Sequence, residues 1–93
     1  MIKFKHVDGK DKGRIVLYAL STCGWCRKTK KLLSELGIGY DYVDVDQVDD
    51  RLSDEIVAAV KKWNPEETYP TIVVEDKRSI INYQEDQIRE LAK

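Results

Sequence analysis

The chain has 93 residues, 42% of them hydrophobic, with sixteen basic and seventeen acidic side chains and a formal net charge of −1. That length holds one domain around one core, and the balance of charge provides no global field toward nucleic acid or anionic lipid, so neither is an expected partner. No apolar run approaches the ~20 residues that span a bilayer and none has the form of a secretory signal, so a soluble cytoplasmic monomer is expected.

Residues 2–7 alternate Ile2, Phe4 and His6 against Lys3 and Lys5, the pattern of an edge strand with one wet face. His6 shares the apolar phase and is expected to be a partly buried strand residue rather than a ligand. Residues 8–13, charged and carrying two glycines, read as a turn or mobile loop. Residues 15–20 are apolar throughout, as in a strand covered on both faces, which implies helices above and below the sheet. A helix over 24–36 leaves that strand, closed by Gly37 and Gly39, the first at the C-cap. Residues 40–46 give a second strand with Val43 and Val45 in phase, and a crossover of this length favours a parallel pair.

From Asp49 the spacing of Leu52, Ile56, Ala59, Val60 and Trp63 predicts another helix, stopped by Asn64-Pro65. Residues 71–74 form an apolar strand, 75–78 a charged turn and 79–81 a return strand, so this pair is a hairpin. A last helix runs over 84–92. The expected order is β-β-α-β-α-β-β-α, an α/β domain with a mixed sheet and no internal repeat.

Both cysteines, Cys23 and Cys26, fall between the apolar strand and the first helix. One helical turn brings positions three apart onto neighbouring ground, so the pair suits a switchable disulfide. At the helix start Cys23 lies beside unpaired backbone N–H groups and the positive end of the helix dipole, which favour a thiolate and make it the expected nucleophile. Projected at 100° per residue, Cys26 shares an arc with Thr29, Leu32, Leu33 and Leu36, so it faces the core as the resolving thiol. A zinc site needs two more Cys or His ligands, and only His6 remains, so no metal is expected. A purely structural disulfide would close too small a ring to stabilise much. Arg27, Lys28, Lys30 and Lys31 form a basic cluster: Lys28 and Lys31 read as solvated positions, Arg27 and Lys30 as cations projecting toward the cysteines. Trp25 is either core or an exposed platform for partner docking.

The CxxC at Cys23-Gly24-Trp25-Cys26, followed by Arg27-Lys28-Thr29-Lys30-Lys31-Leu32-Leu33, and the Thr68-Tyr69-Pro70-Thr71 entry to the third apolar strand, resemble the thioredoxin fold and, more narrowly, glutaredoxin-like redoxins. The resemblance implies a three-layer α/β/α domain spanning 1–93, with 1–13 as N-terminal edge strand and loop and 14–93 as core. It implies a cis bond before Pro70, with Tyr69 pairing its backbone to a bound peptide or thiol. It also implies dithiol–disulfide exchange through Cys23 and Cys26, with Gly24, Trp25, Tyr69, Pro70 and Tyr83 contacting substrate. Two departures bear on the reductant. Leu20 stands where members that use glutathione usually carry a basic residue, and Ile81-Asn82-Tyr83-Gln84 replaces a Gly-Gly pair. Both count against a glutathione subsite. Tyr83 resembles the aromatic of redoxins reduced by a thioredoxin-reductase type flavoenzyme and serving ribonucleotide reductase, though a packing role at the hairpin exit fits it equally. The expectation is no bound cofactor, an external flavoprotein reductase ahead of glutathione, and disulfide-containing protein substrates. Two alternatives stand beside it. Gly24 after the first cysteine also occurs in relatives that share an iron–sulfur cluster between two chains through that cysteine, and a redox-inert binding domain can be built on the same fold.

Overall fold

The structure is a computed structural model that describes residues 2–93. Its elements are β1 (Lys5–Val7), β2 (Ile15–Ala19), α1 (Gly24–Glu35), β3 (Tyr40–Asp44), α2 (Ser53–Trp63), β4 (Thr71–Val74), β5 (Arg78–Ile81) and α3 (Glu85–Glu90). The five strands form one sheet in the order β1-β3-β2-β4-β5. β2 and β3 are parallel while β1–β3, β2–β4 and β4–β5 are antiparallel, so the sheet is mixed as expected.

β2 is buried at every position because alternate side chains enter different cores. Ile15, Leu17 and Ala19 join Leu32 and Leu33 of α1 with Ile88 and Leu91 at the C-terminal end. Val16 and Tyr18 join Ile56 and Val60 of α2. The all-apolar run is therefore the physical signature of a strand between two helical layers. Burying Leu32 and Leu33 contributes roughly 2 kcal/mol each, which anchors the helix that carries the cysteines. No helix among the described residues is long and apolar enough to cross a membrane.

Several boundaries differ from the sequence reading. The first strand is Lys5–Val7 rather than 2–7; Ile2 and Phe4 still pack on the α2 side, ahead of the paired segment. His6 keeps their phase but is exposed, on the strand at the edge of the sheet. Its Nδ1 lies 2.7 Å from Asp41 Oδ1, and this hydrogen bond holds the imidazole above its usual pKa. The loop at 8–13 is pinned rather than free: Lys10 N–H donates to the Gly37 carbonyl at 2.7 Å and Gly39 N–H to the Lys10 carbonyl at 2.9 Å. Gly9 lies so close that a Cβ there would fall 2.4 Å from the Gly39 nitrogen.

β3 ends at Asp44, and Val45–Gln47 turns into a short 3-10 segment. A second 3-10 turn, Asp50–Leu52, is capped by Asp49 and precedes α2, so the helix predicted from Asp49 is α-helical only from Ser53. The last helix is Glu85–Glu90, shorter than 84–92. α1 ends at Glu35 with Leu36 as its C-cap, one residue before the expected cap, and Gly37, at φ +72°, follows in the left-handed conformation that turns the chain away.

Candidate active site

Cys23 is the cap residue of α1, with extended backbone (φ −85°, ψ 117°), and its Sγ accepts the Cys26 N–H at 3.1 Å. The sulfur thus occupies the place a serine or aspartate oxygen takes at an ordinary helix start, where a negative charge meets unpaired N–H donors. Cys23 is half-buried and Cys26 wholly buried, and both are free thiols. Burial, followed by the hydrogen bond with Cys23, pushes the Cys26 thiol up to about 12, against smaller opposing contributions from the Leu20 backbone and the Lys30 ammonium.

The Tyr69–Pro70 bond is cis. Pro70 is buried and Tyr69 half-buried. Burial, then the Glu67 carboxylate, raises the Tyr69 hydroxyl, and the ring packs against the core cluster that contains Cys26. The segment is fixed by a residue that sequence reasoning treated only as a helix stop. Asn64 is wholly buried, and its Nδ2 donates to the Thr68 carbonyl at 2.9 Å, Thr68 Oγ1 at 3.0 Å and Thr71 Oγ1 at 2.9 Å. Thr71 Oγ1 donates in turn to the Thr68 carbonyl at 2.7 Å, and Asn82 N–H to the Pro70 carbonyl at 2.8 Å. A polar residue at the entry to an apolar strand, Thr71, was the available signal.

Trp25 is 56% exposed and stacks on Tyr83, ring centroids 5.3 Å apart at 32°. Lys28 Nζ lies over both rings, 4.9 Å from the Trp25 centroid and 5.8 Å from that of Tyr83. Lys28, assigned to the solvated face, is therefore the cation tied to this platform, and Tyr83 packs against the residue between the cysteines. Lys30 turns instead toward the sheet, 3.1 Å from Asp44 Oδ1 and 4.3 Å above the Tyr42 ring. Arg27 is exposed. Gly24 faces open space, with nothing within 4 Å of where a Cβ would stand.

A second network was not anticipated. Asp46, just beyond β3, accepts Ser21 N–H at 2.9 Å through Oδ1 and the Ser21 hydroxyl at 2.5 Å through Oδ2. Gln47 Nε2 donates to the same hydroxyl and carboxylate, both at 3.3 Å. A groove of about 690 Å³ opens nearby, bounded by Lys3, Lys5, Val43, Gln47 and Val48, but neither cysteine lines it. The thiol site lies at the N-terminal end of α1, where Trp25 meets Tyr83 and where Cys23 and Tyr69 pack against the same core cluster.

Residues 15–79 match the glutaredoxin family, which takes in the cysteine pair, the parallel strands and the cis-proline segment. The chain belongs to that family. Over its whole length it resembles the crystal structure of the glutaredoxin from Methanosarcina mazei Go1, with a TM-score of 0.88 and 42% identity over 98% of this chain and 88% of that one. It is similarly close to methanoredoxin from Methanosarcina acetivorans, with a TM-score of 0.86 and 43% identity over 90% of this chain and 88% of that one. Glutaredoxin-C1 of Arabidopsis thaliana is 28% identical over 60 residues, 64% of this chain and 46% of that protein. The chain thus spans about half the length of that plant relative. The glutaredoxin match confirms the thioredoxin-like fold expected from the sequence, and the cis bond lies where the resemblance implied it.

Proposed function

We propose that this chain is a dithiol–disulfide oxidoreductase acting on protein disulfides. The observation that carries the reading is the asymmetry of the pair: a half-buried Cys23 sulfur at the helix start, receiving the Cys26 N–H at 3.1 Å, beside a wholly buried Cys26. The Cys23 thiolate attacks a substrate S–S bond, one substrate sulfur leaves as a thiolate, and a mixed disulfide forms. The Cys26 sulfur, giving up its proton, then attacks Cys23 Sγ and releases the second substrate thiol. Two electrons pass to the substrate, and the chain is left with a Cys23–Cys26 disulfide. Lys30, paired with Asp44 at 3.1 Å, lends the Cys26 thiolate only the smallest of the influences acting on that thiol. Trp25, Gly24 and Tyr83 offer the contact surface, Tyr69 and Pro70 border it, and Arg27 adds a peripheral cation.

The external reductant in this reading is a thioredoxin-reductase type flavoenzyme ahead of glutathione, the substrates are proteins such as ribonucleotide reductase, and the working compartment is the cytoplasm, where such a dithiol is kept reduced. An iron–sulfur role would draw its other ligands from outside the chain, because among the described residues no three His, Cys, Asp or Glu side chains are grouped to hold a metal ion.

Insulin reduction with dithiothreitol as electron source tests the proposal. Cys23→Ser abolishes turnover, while reduced Cys26→Ser, freed of dithiothreitol before insulin is added, accumulates a covalent adduct of the substrate at Cys23, visible by mass. Full activity in Cys23→Ser overturns the reading.

A further inference from the structure

We propose that Asp46 is a positioning residue for the cysteine pair, holding through Ser21 the turn that presents Cys23. The turn is Leu20-Ser21-Thr22-Cys23, closed by Cys23 N–H donating to the Leu20 carbonyl at 3.2 Å, and it follows the last residue of β2. Both sulfurs depend on it. Cys23 is its final residue, and the Cys23 sulfur in turn accepts the Cys26 N–H at 3.1 Å, which links the second cysteine to the same turn.

Among the described residues the side-chain hydrogen bonds that reach Leu20, Ser21 and Thr22 come from Asp46 and Gln47 alone. Asp46 takes both donors of Ser21, so the turn is bound to the exit of the neighbouring parallel strand by one carboxylate. The Ser21 hydrogen bonds, side chain first, hold the Asp46 carboxyl down to about 2, so it is ionised and acceptor-only throughout the working range. An anchor of this kind limits the turn's sampling of other geometries and keeps the two sulfurs in register for attack and ring closure.

The inference rests on Cys23 being the attacking thiol, and its test reads geometry rather than turnover. Two quantities are measured well below the melting temperature: the rate of Cys23 alkylation by iodoacetamide, with the site mapped by mass, and the equilibrium of the pair with dithiothreitol. In the second, the two thiols pass two electrons and two protons to oxidised dithiothreitol as the Cys23–Cys26 bond forms. Asp46→Ala is expected to slow alkylation about fivefold and shift the equilibrium about fivefold toward the dithiol, the factor that one net hydrogen bond carries. Asp46→Asn keeps an acceptor for the Ser21 N–H and a polar partner for its hydroxyl, so it stays within about twofold of the wild type. Ser21→Ala combined with Asp46→Ala adds no further loss, because the two residues act through one contact.

The asparagine variant separates positioning from charge. Removal of an anion near a thiolate accelerates alkylation in both substitutions, opposite in sign to the expected result. Unchanged rates and equilibrium in Asp46→Ala, or equal behaviour of Asp46→Ala and Asp46→Asn, overturns the inference. Wild-type labelling that maps to Cys26 instead of Cys23 overturns the functional reading beneath it.

Discussion

Cys23 and Cys26 stand three residues apart, yet the helix start gives them opposite surroundings. The Cys23 sulfur meets the Cys26 N–H at the rim, whereas Cys26 points down among the α1 side chains of the core. For Cys26 the raised folded-state pKa of about 12 has a definite sign: the neutral thiol is favoured by the fold. An unfolded cysteine ionises near its free value of about 8.5, so the contribution of this burial is complete below that pH and is lost as pH rises from there toward about 12. In reduced protein between pH 7 and 9, iodoacetamide therefore labels Cys23 first and leaves Cys26 at least about tenfold slower, since both access and ionisation oppose it. Peptide mapping by mass checks this, and comparable labelling of the two would show that α1 does not seat Cys26 in the core. Trp25 and Lys28 illustrate what residue types alone left open. The helical wheel put Lys28 on the wet side, correctly, but its ammonium found the faces of Trp25 and Tyr83, a contact between α1 and the approach to α3.

At the scale of elements, the connection between α2 and β4 depends on one buried amide. Asn64 closes α2 through its own N–H to the Val60 carbonyl at 2.7 Å, and its side chain then holds Thr68 and Thr71 on either side of the cis bond. Asn64→Ala leaves the Thr68 carbonyl with the Thr71 hydroxyl as its remaining donor and takes from the buried Thr71 hydroxyl the donor it accepts, a loss of about 1–3 kcal/mol for that buried group. A fall in the urea midpoint with unchanged slope measures it, and Asn64→Asp, which retains shape but reverses the hydrogen-bond direction at the nitrogen, is expected to destabilise as well. An Asn64→Ala midpoint equal to that of the wild type rules out this role. Elements with a burial pattern were legible in the sequence: β2 and β4 from uninterrupted apolar runs, α1 from the arc of Cys26, Thr29, Leu32, Leu33 and Leu36, of which the first four are buried and Leu36, at the helix end, is half-buried. What depends on a partner far along the chain was not. The turn of the β4–β5 hairpin has Glu75 and Asp76 at φ +54° and +53°, a conformation that usually selects glycine or asparagine, so no local signal marked its geometry. β1 was drawn too long because the alternation of residues 2–7 continues beyond the stretch that β3 can pair, and His6 was drawn inward because its phase says nothing about whether a helix lies above it.

Across the whole molecule, the edge that carries the cysteine loop brings together three surfaces: the Trp25–Tyr83–Lys28 platform, the cis-proline segment, and the Asp46 clamp. Their composition bears on the choice of reductant. A small thiol with several carboxylates needs fixed cations around the thiol, whereas here Leu20 opens the turn, Lys30 is paired with Asp44, and the large exposed side chain in the first turn of α1 is an indole. An exposed aromatic of this size, stiffened by a second ring and a cation, suits a broad protein contact, in which large rigid side chains carry much of the binding energy. We therefore predict that, with one common disulfide target, NADPH with a thioredoxin-reductase type flavoenzyme sustains faster turnover than NADPH with glutathione and its reductase. Trp25→Ala should then raise KM for the flavoenzyme about tenfold, within the range for truncating an interface aromatic, while leaving the rate with dithiothreitol nearly unchanged. Dithiothreitol is small enough to reach Cys23 without the platform, so this pair of measurements separates docking from chemistry. Faster turnover through glutathione, or a Trp25→Ala loss that is equal with dithiothreitol and with the flavoenzyme, would show that the indole supports the thiol itself rather than the approach of a protein.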